Sequence, residues 1–309
     1  MQNSDLSYSG LWVHRVMLRD SVRCETFRKA ILETVKPGNV VLDVGAGTGI
    51  LSLFAVQAGA KKVYAVERSN IAEFTRKVLR KNGAEDCVEV IQADMENVKL
   101  TEKVDLIVSE WLGGYGVDSG MLAPLLVARD RWLKKNGKIL PQRVTAWMAP
   151  IWDSTLDSDM RFWRGHPYGV DLSSMADGKA QEMLMCQMHL SEDNSLSEPQ
   201  QMWTTDVYNF STENARAPFK TSLSFLIKRE GKFSALSTWF QAEFDAGLIL
   251  TNEPGAPQTH WGQYVFPLEH TIKVKSGTKI EVEFTCEPKG NKDFDFSQVR
   301  CLVRVGDEP

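Results

Sequence analysis

The 309-residue sequence has no stretch approaching the ~18 consecutive apolar residues needed to cross a bilayer as a helix. That excludes a helical membrane span. It has little cysteine. Cys24, Cys87, Cys186, Cys286 and Cys301 are scattered, odd in number and without a CxxC pair. This argues against a zinc cluster and a disulfide framework, so no metal is expected and a reducing, cytoplasmic compartment is the default. There is no excess of positive charge. Lys and Arg total 36 against 40 Asp and Glu, a formal net charge of −4, which speaks against a nucleic-acid binder held by a basic surface. The opening MQNSDLSYSG has no basic segment followed by an apolar one, so it does not read as a secretory signal. Internal repeats and low-complexity tracts are also missing.

What is present falls into two textures. From about 36 to 150, apolar runs alternate with helical patterns. Val40–Val44, Lys62–Glu67, Val88–Ile91 and Val104–Val108 read as buried strands. Between them lie a helix from Ile50 to near Gly59 and one capped by Ser69, carrying Ile71, Phe74, Val78 and Leu79 and stopping at Gly83. Strand–helix alternation implies a parallel sheet covered on both faces. From about 151 the period changes to two, in Ser234–Phe244, Thr271–Lys275 and Lys279–Cys286, which predicts antiparallel strands with one wet face. The expected class is therefore α/β plus β: a Rossmann-like domain over 36–150, then a β-rich domain over 151–309. The irregular stretch 153–190, with Phe162, Trp163, Tyr168 and Met175, either covers a partner surface or packs on its own domain.

The chemistry centres on Gly45-Ala46-Gly47-Thr48-Gly49, which follows an apolar strand and opens a helix. Glycines let the backbone approach a ligand, and a helix N-terminus offers free N–H groups. Asp43 precedes the turn, where a carboxylate can meet an amino group. Glu67 ends the next strand, 24 residues on, where an acid can take two ribose hydroxyls. A dinucleotide reading prefers GxGxxG and a pyrophosphate at the turn, which Asp43 would repel. The same carboxylate attracts the amino group of a methionine moiety, so the expected cofactor is S-adenosyl-L-methionine. Met95 and Glu96, past the third strand, are placed to meet adenine.

Beyond the turn, Ser109-Glu110-Trp111, Ala128-Arg129-Asp130-Arg131-Trp132-Leu133, Tyr168-Gly169-Val170-Asp171, Thr259-His260-Trp261, and Tyr8 with His14, Met17, Leu18, Asp20 and Arg23 complete a pattern. With these segments the chain resembles the protein arginine methyltransferase family over nearly its whole length. The resemblance implies a β-barrel as the second domain, an N-terminal helical cap (1–35) over the cofactor, and a helical arm (about 153–190) that makes a homodimer. It implies that Arg23 pairs with the cofactor carboxylate, that Asp43, Gly45 and Gly47 meet its amino-acid end, that Glu67 holds ribose, and that Met95 and Glu96 hold adenine. Glu110 would grip the acceptor guanidinium, His260 would face Asp20, and Met17 and Met121 would flank the reactive nitrogen. Tyr8, His14, Tyr115, Asp118, Ser119 and Trp261 complete the expected acceptor side.

The family carries two glutamates nine residues apart on one loop. Glu110 is the first; Ser119 holds the second position, in a loop rich in glycine (Gly113, Gly114, Gly116, Gly120), with Asp118 one residue off register. Ser4, Asp5, Arg15 and Val16 also depart from the pattern. A guanidinium is cationic, with a pKa above ~12 and five N–H donors. Two carboxylates hold it and draw charge from the attacking nitrogen; with one, the pocket also suits a neutral nucleophile. Three readings follow: an arginine N-methyltransferase acting on peptide or protein with Asp118 as stand-in, a C- or N-methyltransferase of a small amine or indole, and a cofactor-binding subunit of weak activity.

Overall fold

The computed structural model describes residues 10–162, 165–175, 186–287 and 298–306. Tyr8, Ser4, Asp5 and Trp163, and part of the expected arm, lie outside them. Two helices open the described chain, α1 (Leu11–Arg19) and α2 (Ser21–Thr34). Five strands follow: β1 (Val40–Val44), β2 (Lys62–Val66), β3 (Val88–Ile91), β4 (Val104–Val108) and β5 (Leu133–Leu140). All are parallel, in the order β3-β2-β1-β4-β5. Helices α3 (Ile50–Gln57), α4 (Ile71–Lys81) and α5 (Leu122–Trp132) connect them. β1 is central and buried along its whole length, which is why Val40–Val44 reads as an unbroken apolar run interrupted only by Asp43. Helix α4 starts at Ile71, two residues past Ser69, whose hydroxyl accepts from the Ile71 amide at 3.4 Å.

The second unit begins earlier than the sequence suggests. β6 (Arg143–Ile151) is antiparallel to β8 (Gln200–Asp206) and β10 (Gly231–Glu243), so the change of architecture falls at 141–142 and the expected boundary at 150 is corrected. One sheet runs β7 (Cys186–Met188), β12 (Gln263–Val274), β10, β6, β8, with β11 (Ile249–Thr251) on β10; a second runs β14 (Gln298–Val305), β13 (Lys279–Glu287), β9 (Phe219–Leu226). β13 turns Ile280, Val282, Phe284 and Cys286 inward and Glu281 and Glu283 out, the predicted period of two. Helix α6 (Ser154–Phe162) leaves the barrel after β6. A short helix α7 (Thr212–Arg216) lies against α5.

Helix α2 joins the two units. Phe27, fully buried, meets the edge of Phe244 beyond β10 at 5.0 Å between ring centres. On the other side of the junction Arg129 of α5 donates to the carbonyls of Val207 and Phe210 just past β8. The N-terminal helices and the barrel therefore close over the C-terminal ends of the parallel strands, where open α/β sheets place their ligands.

Candidate active site

The turn after β1 is built for close approach. Gly45, Gly47 and Gly49 have φ of +77, +52 and +82, and the amides of Gly45 and Ala46 bond to the Val66 carbonyl at 2.9 Å. Glu67 fastens the turn: its carboxylate accepts from Gly47 N at 2.9 Å and Ser69 N at 2.8 Å. Helix α1 covers it, with His14 buried; a Cβ on Gly47 would lie 3.3 Å from His14 Cε1. A Cβ on Gly45 would come within 2.6 Å of Met121 Cε, so Met121 lies directly over the turn.

Asp43 is fully buried. Ser52, on the inner face of α3, donates to one carboxylate oxygen at 2.7 Å, while the other has no hydrogen-bond partner. Burial pushes its pKa up to about 7. Arg23, also buried, has an unpartnered Nε. An orphan acceptor and an orphan donor in one water-poor crease fit the amino and carboxylate groups of an amino acid. Glu67, expected to take ribose, stands one strand over beside the turn. The residues present therefore fit S-adenosylmethionine.

The acceptor side lies beside this crease. Arg23 Nη2 is 3.3 Å from Glu110 Oε2, and the other Glu110 oxygen accepts from Leu112 N at 2.9 Å. Asp20 caps α2 through Arg23 N at 2.9 Å and receives both the backbone N–H and Nδ1 of His260 at 2.8 Å. Burial alone would raise the Asp20 carboxyl, but the bonds from His260 and Arg23 N outweigh it and hold it below the ordinary range. An ionised Asp20 makes Nδ1 the donor and orients Nε2 away from it. The His260 ring packs on Trp261 at 4.0 Å, and Trp261 is buried against Phe240. Met17 is half-buried on α1; its carbonyl accepts from Cys24 Sγ at 3.6 Å.

Several expectations for the Glu110 loop are corrected. Asp118 does not reach across as a stand-in acid. Its two oxygens accept from Gly114 N and Tyr115 N at 3.0 Å, because the glycine turn leaves those amides without other partners. Burial, with Glu110 nearby, lifts its pKa to about 6. Ser119 also faces the loop, its hydroxyl donating to the Trp111 carbonyl at 2.8 Å. Tyr115 is no pocket wall: 1% exposed, it is drawn into an aromatic cluster with Trp203, Tyr264 and Phe284. The space beside Gly114 is filled, since a Cβ there would collide with the Tyr264 ring. Of the two residues expected to meet adenine, Met95 is buried, while the Glu96 carboxylate pairs with Arg216 of α7 at 3.3 Å. The sequence reading missed Ser52 and Arg216. A serine at the buried position of Ile50-Leu51-Ser52-Leu53 is a local signal for the first; Arg216 is 120 positions from Glu96 and gives none.

Comparison with known proteins identifies the family. Residues 142–298 match the model of the arginine methyltransferase oligomerization subdomain, and residues 10–114 that of the TRM5/TYW2 methyltransferase domain. The chain is 39% identical to protein arginine N-methyltransferase 6 of Danio rerio, over 91% of this chain and 83% of that protein. It is 36% identical to protein arginine N-methyltransferase 1 of Caenorhabditis elegans, over 94% and 85%. Among solved structures it superimposes on the Trypanosoma brucei PRMT1 enzyme–prozyme heterotetrameric complex with AdoHcy, with a TM-score of 0.85, 28% identity and coverage of 98% and 95%. Arabidopsis thaliana protein arginine methyltransferase 10 gives 0.78, 26%, 97% and 99%. This chain belongs to the protein arginine methyltransferase family and is an S-adenosylmethionine-dependent methyltransferase.

Proposed function

We propose that the chain methylates a guanidino nitrogen of arginine in a peptide or protein, with Glu110 holding the guanidinium. One observation carries the reading: Glu110 already holds a guanidinium, that of Arg23, at 3.3 Å, while the Leu112 amide fixes its other oxygen. The site is thus shaped for a planar cation. S-adenosylmethionine supplies a sulfonium-bound methyl group open to in-line displacement. Arg23 and Asp43 take the cofactor's carboxylate and amino group, Glu67 its ribose hydroxyls, and Met95 and Glu96 its adenine. Once Arg23 has a second anion to face, a Glu110 oxygen is free for the acceptor. His260, its Nδ1 held by Asp20, receives the proton lost from the methylated nitrogen. His14, Met17, Met121 and Trp261 enclose the reacting atoms.

The test is incubation with labelled cofactor and Arg-rich peptides, alongside free indoles and amines. Label on arginine is expected; label only on a small molecule would reject the reading. Because Ser119 leaves Glu110 without a second acid, Ser119→Glu is expected to raise kcat/KM for the peptide about tenfold, roughly the effect of 1.4 kcal/mol. A fall would show that the loop has no room for a second carboxylate.

The matched oligomerization subdomain supports self-association; we assign it to a homodimer. Leu11, Trp12 and Leu18 on α1 and Phe74 on α4 are exposed, as are Phe162, Tyr168 and Val170 in the arm segment. Exposed apolar side chains on both the cofactor domain and the arm segment suit an arm seated on the partner's cofactor domain. Tyr168→Asp and Trp12→Asp are each expected to shift the sedimentation profile to monomer; an unchanged dimer in both would remove this assignment. The unpaired Cys24, Cys87, Cys286 and Cys301 suit a cytoplasmic location.

A further inference from the structure

The loop that starts at Glu110 is seated on the barrel through its glycines. A Cβ on Gly116 would lie 3.0 Å from Val144 Cγ1 and 3.6 Å from Ala146 Cβ of β6. One on Gly114 would lie 2.2 Å from Cγ and 2.3 Å from both Cδ atoms of Tyr264, on β12. The two glycines have different causes. Gly116 has φ of +94, so its backbone alone disfavours a side chain; Gly114 is outside the left-handed region, and its backbone would accept any L-residue. The three nearest atoms to a side chain there all belong to the Tyr264 ring.

Between the glycines, Tyr115 drops into the aromatic core. Its ring centre is 6.0 Å from Tyr264, 6.2 Å from Trp203 and 5.8 Å from Phe284. Asp118 clamps the amides of Gly114 and Tyr115 at 3.0 Å, and Ser119 ties the end of the loop back to Trp111 at 2.8 Å. Glu110 and its bonding partner Leu112 N lie in the short stretch between β4 and this plug. Tyr264 follows His260 by four residues on the same chain segment. A single ring therefore touches the loop of the acceptor carboxylate and belongs to the strand that follows the turn of the opposing histidine.

We infer that Tyr264 is a positioning residue for Glu110, and that Gly114 is its obligate counterpart. The ring sets how closely the Glu110 loop approaches β12, and so where the carboxylate meets the acceptor. The inference rests on the reading of Glu110 as the group that holds the acceptor. It assigns the barrel a part in catalysis separate from enclosing substrate.

The test is a double-mutant cycle on the full-length protein, reading methyl transfer to an Arg-rich peptide and, separately, cofactor binding by calorimetry. Gly114→Ala drives a methyl group into the ring and is expected to lower kcat about tenfold or more, with cofactor Kd within about twofold of wild type. Tyr264→Ala removes the support and is expected to lower kcat comparably. The Gly114→Ala/Tyr264→Ala double variant, in which the methyl has room but the support is gone, is expected to be no worse than Tyr264→Ala alone. Tyr264→Phe keeps the ring and is expected to behave as wild type. Full activity in Gly114→Ala, losses that multiply in the double variant, or a Tyr264→Phe as impaired as Tyr264→Ala would each overturn the inference. So would loss of cofactor binding in step with activity, which marks general unfolding. Glu110→Gln in the same assay separates the two readings. If it stays active, the role of Glu110 has failed; if it is inactive while the cycle is additive, only the role of Tyr264 has.

Discussion

Glu110→Gln is expected to reduce kcat for an arginine peptide by two to nearly four orders of magnitude while cofactor still binds. The substitution keeps shape and removes charge. Removing one partner of a buried ion pair costs about 3–5 kcal/mol, and each 1.36 kcal/mol is a factor of ten in rate. No neighbouring acid compensates, because Asp118 is committed to the amides of Gly114 and Tyr115 and position 119 is serine. Single-turnover rates with saturating cofactor measure the effect directly. A loss under about tenfold would mean that the guanidinium is held elsewhere. Cofactor affinity is the internal control: among the described residues, Arg23 is the contact that Glu110 shares with the expected binding crease.

The second large effect concerns Asp43. Asp43→Asn is expected to weaken cofactor binding about a hundredfold or more, by removing a buried charge from the amino group's partner. It is also expected to stabilise the cofactor-free protein at neutral and alkaline pH. The folded carboxyl has a pKa of about 7, against about 3.9 in an unfolded chain. Below pH ~4 it is neutral in both states and contributes no difference. Between the two values the unfolded chain ionises first, so wild-type stability falls as pH rises; above ~7 both forms are charged and the loss levels off. The full difference is on the order of 4 kcal/mol, an upper bound on the gain in the asparagine variant. Denaturant melts of both proteins at pH 5 and pH 8 check it; an equal gap at the two pH values would contradict the buried-charge account. Cofactor binding runs in the opposite sense. An ionised Asp43 is the form that meets an ammonium group, so wild-type affinity rises with pH through 7, and binding near pH 6.5 releases protons measurable in buffers of different ionisation enthalpy.

What the residues reveal unaided depends on how local each feature is. The bend at Gly45–Gly49 and the acids beside it were legible because strand, turn and helix are consecutive, and each leaves its own signature in period and composition. Glu67 was legible because adjacent parallel strands put it at a fixed distance from Asp43. The boundary near 150 was misplaced because β6, Arg143–Ile151, is buried on both faces along much of its length and reads like another parallel strand. Tyr115 was misassigned for a related reason: a loop aromatic says nothing about which distant strands will surround it. Asp118 was within reach of local reasoning, since a carboxylate three and four residues past a glycine turn is in range of its free amides. Position 119 marked the departure, but where its hydroxyl would turn depended on the Trp111 carbonyl. The Asp20–His260 clasp came from family resemblance alone; no periodicity relates residues 240 apart.

That clasp has a consequence for how the protein comes to exist in the cell. A ribosome delivers the N-terminal helices first, yet the barrel group that secures the head of α2 emerges only after another 240 residues, and Phe244, which grips its middle, comes little earlier. The parallel sheet can fold while the nascent chain is still tethered, but its lid has nothing to fasten to until the barrel strands have emerged. A chain stopped before the barrel is complete therefore carries the parallel sheet with an unlatched cover, and a finished barrel is the condition for a closed crease beneath it.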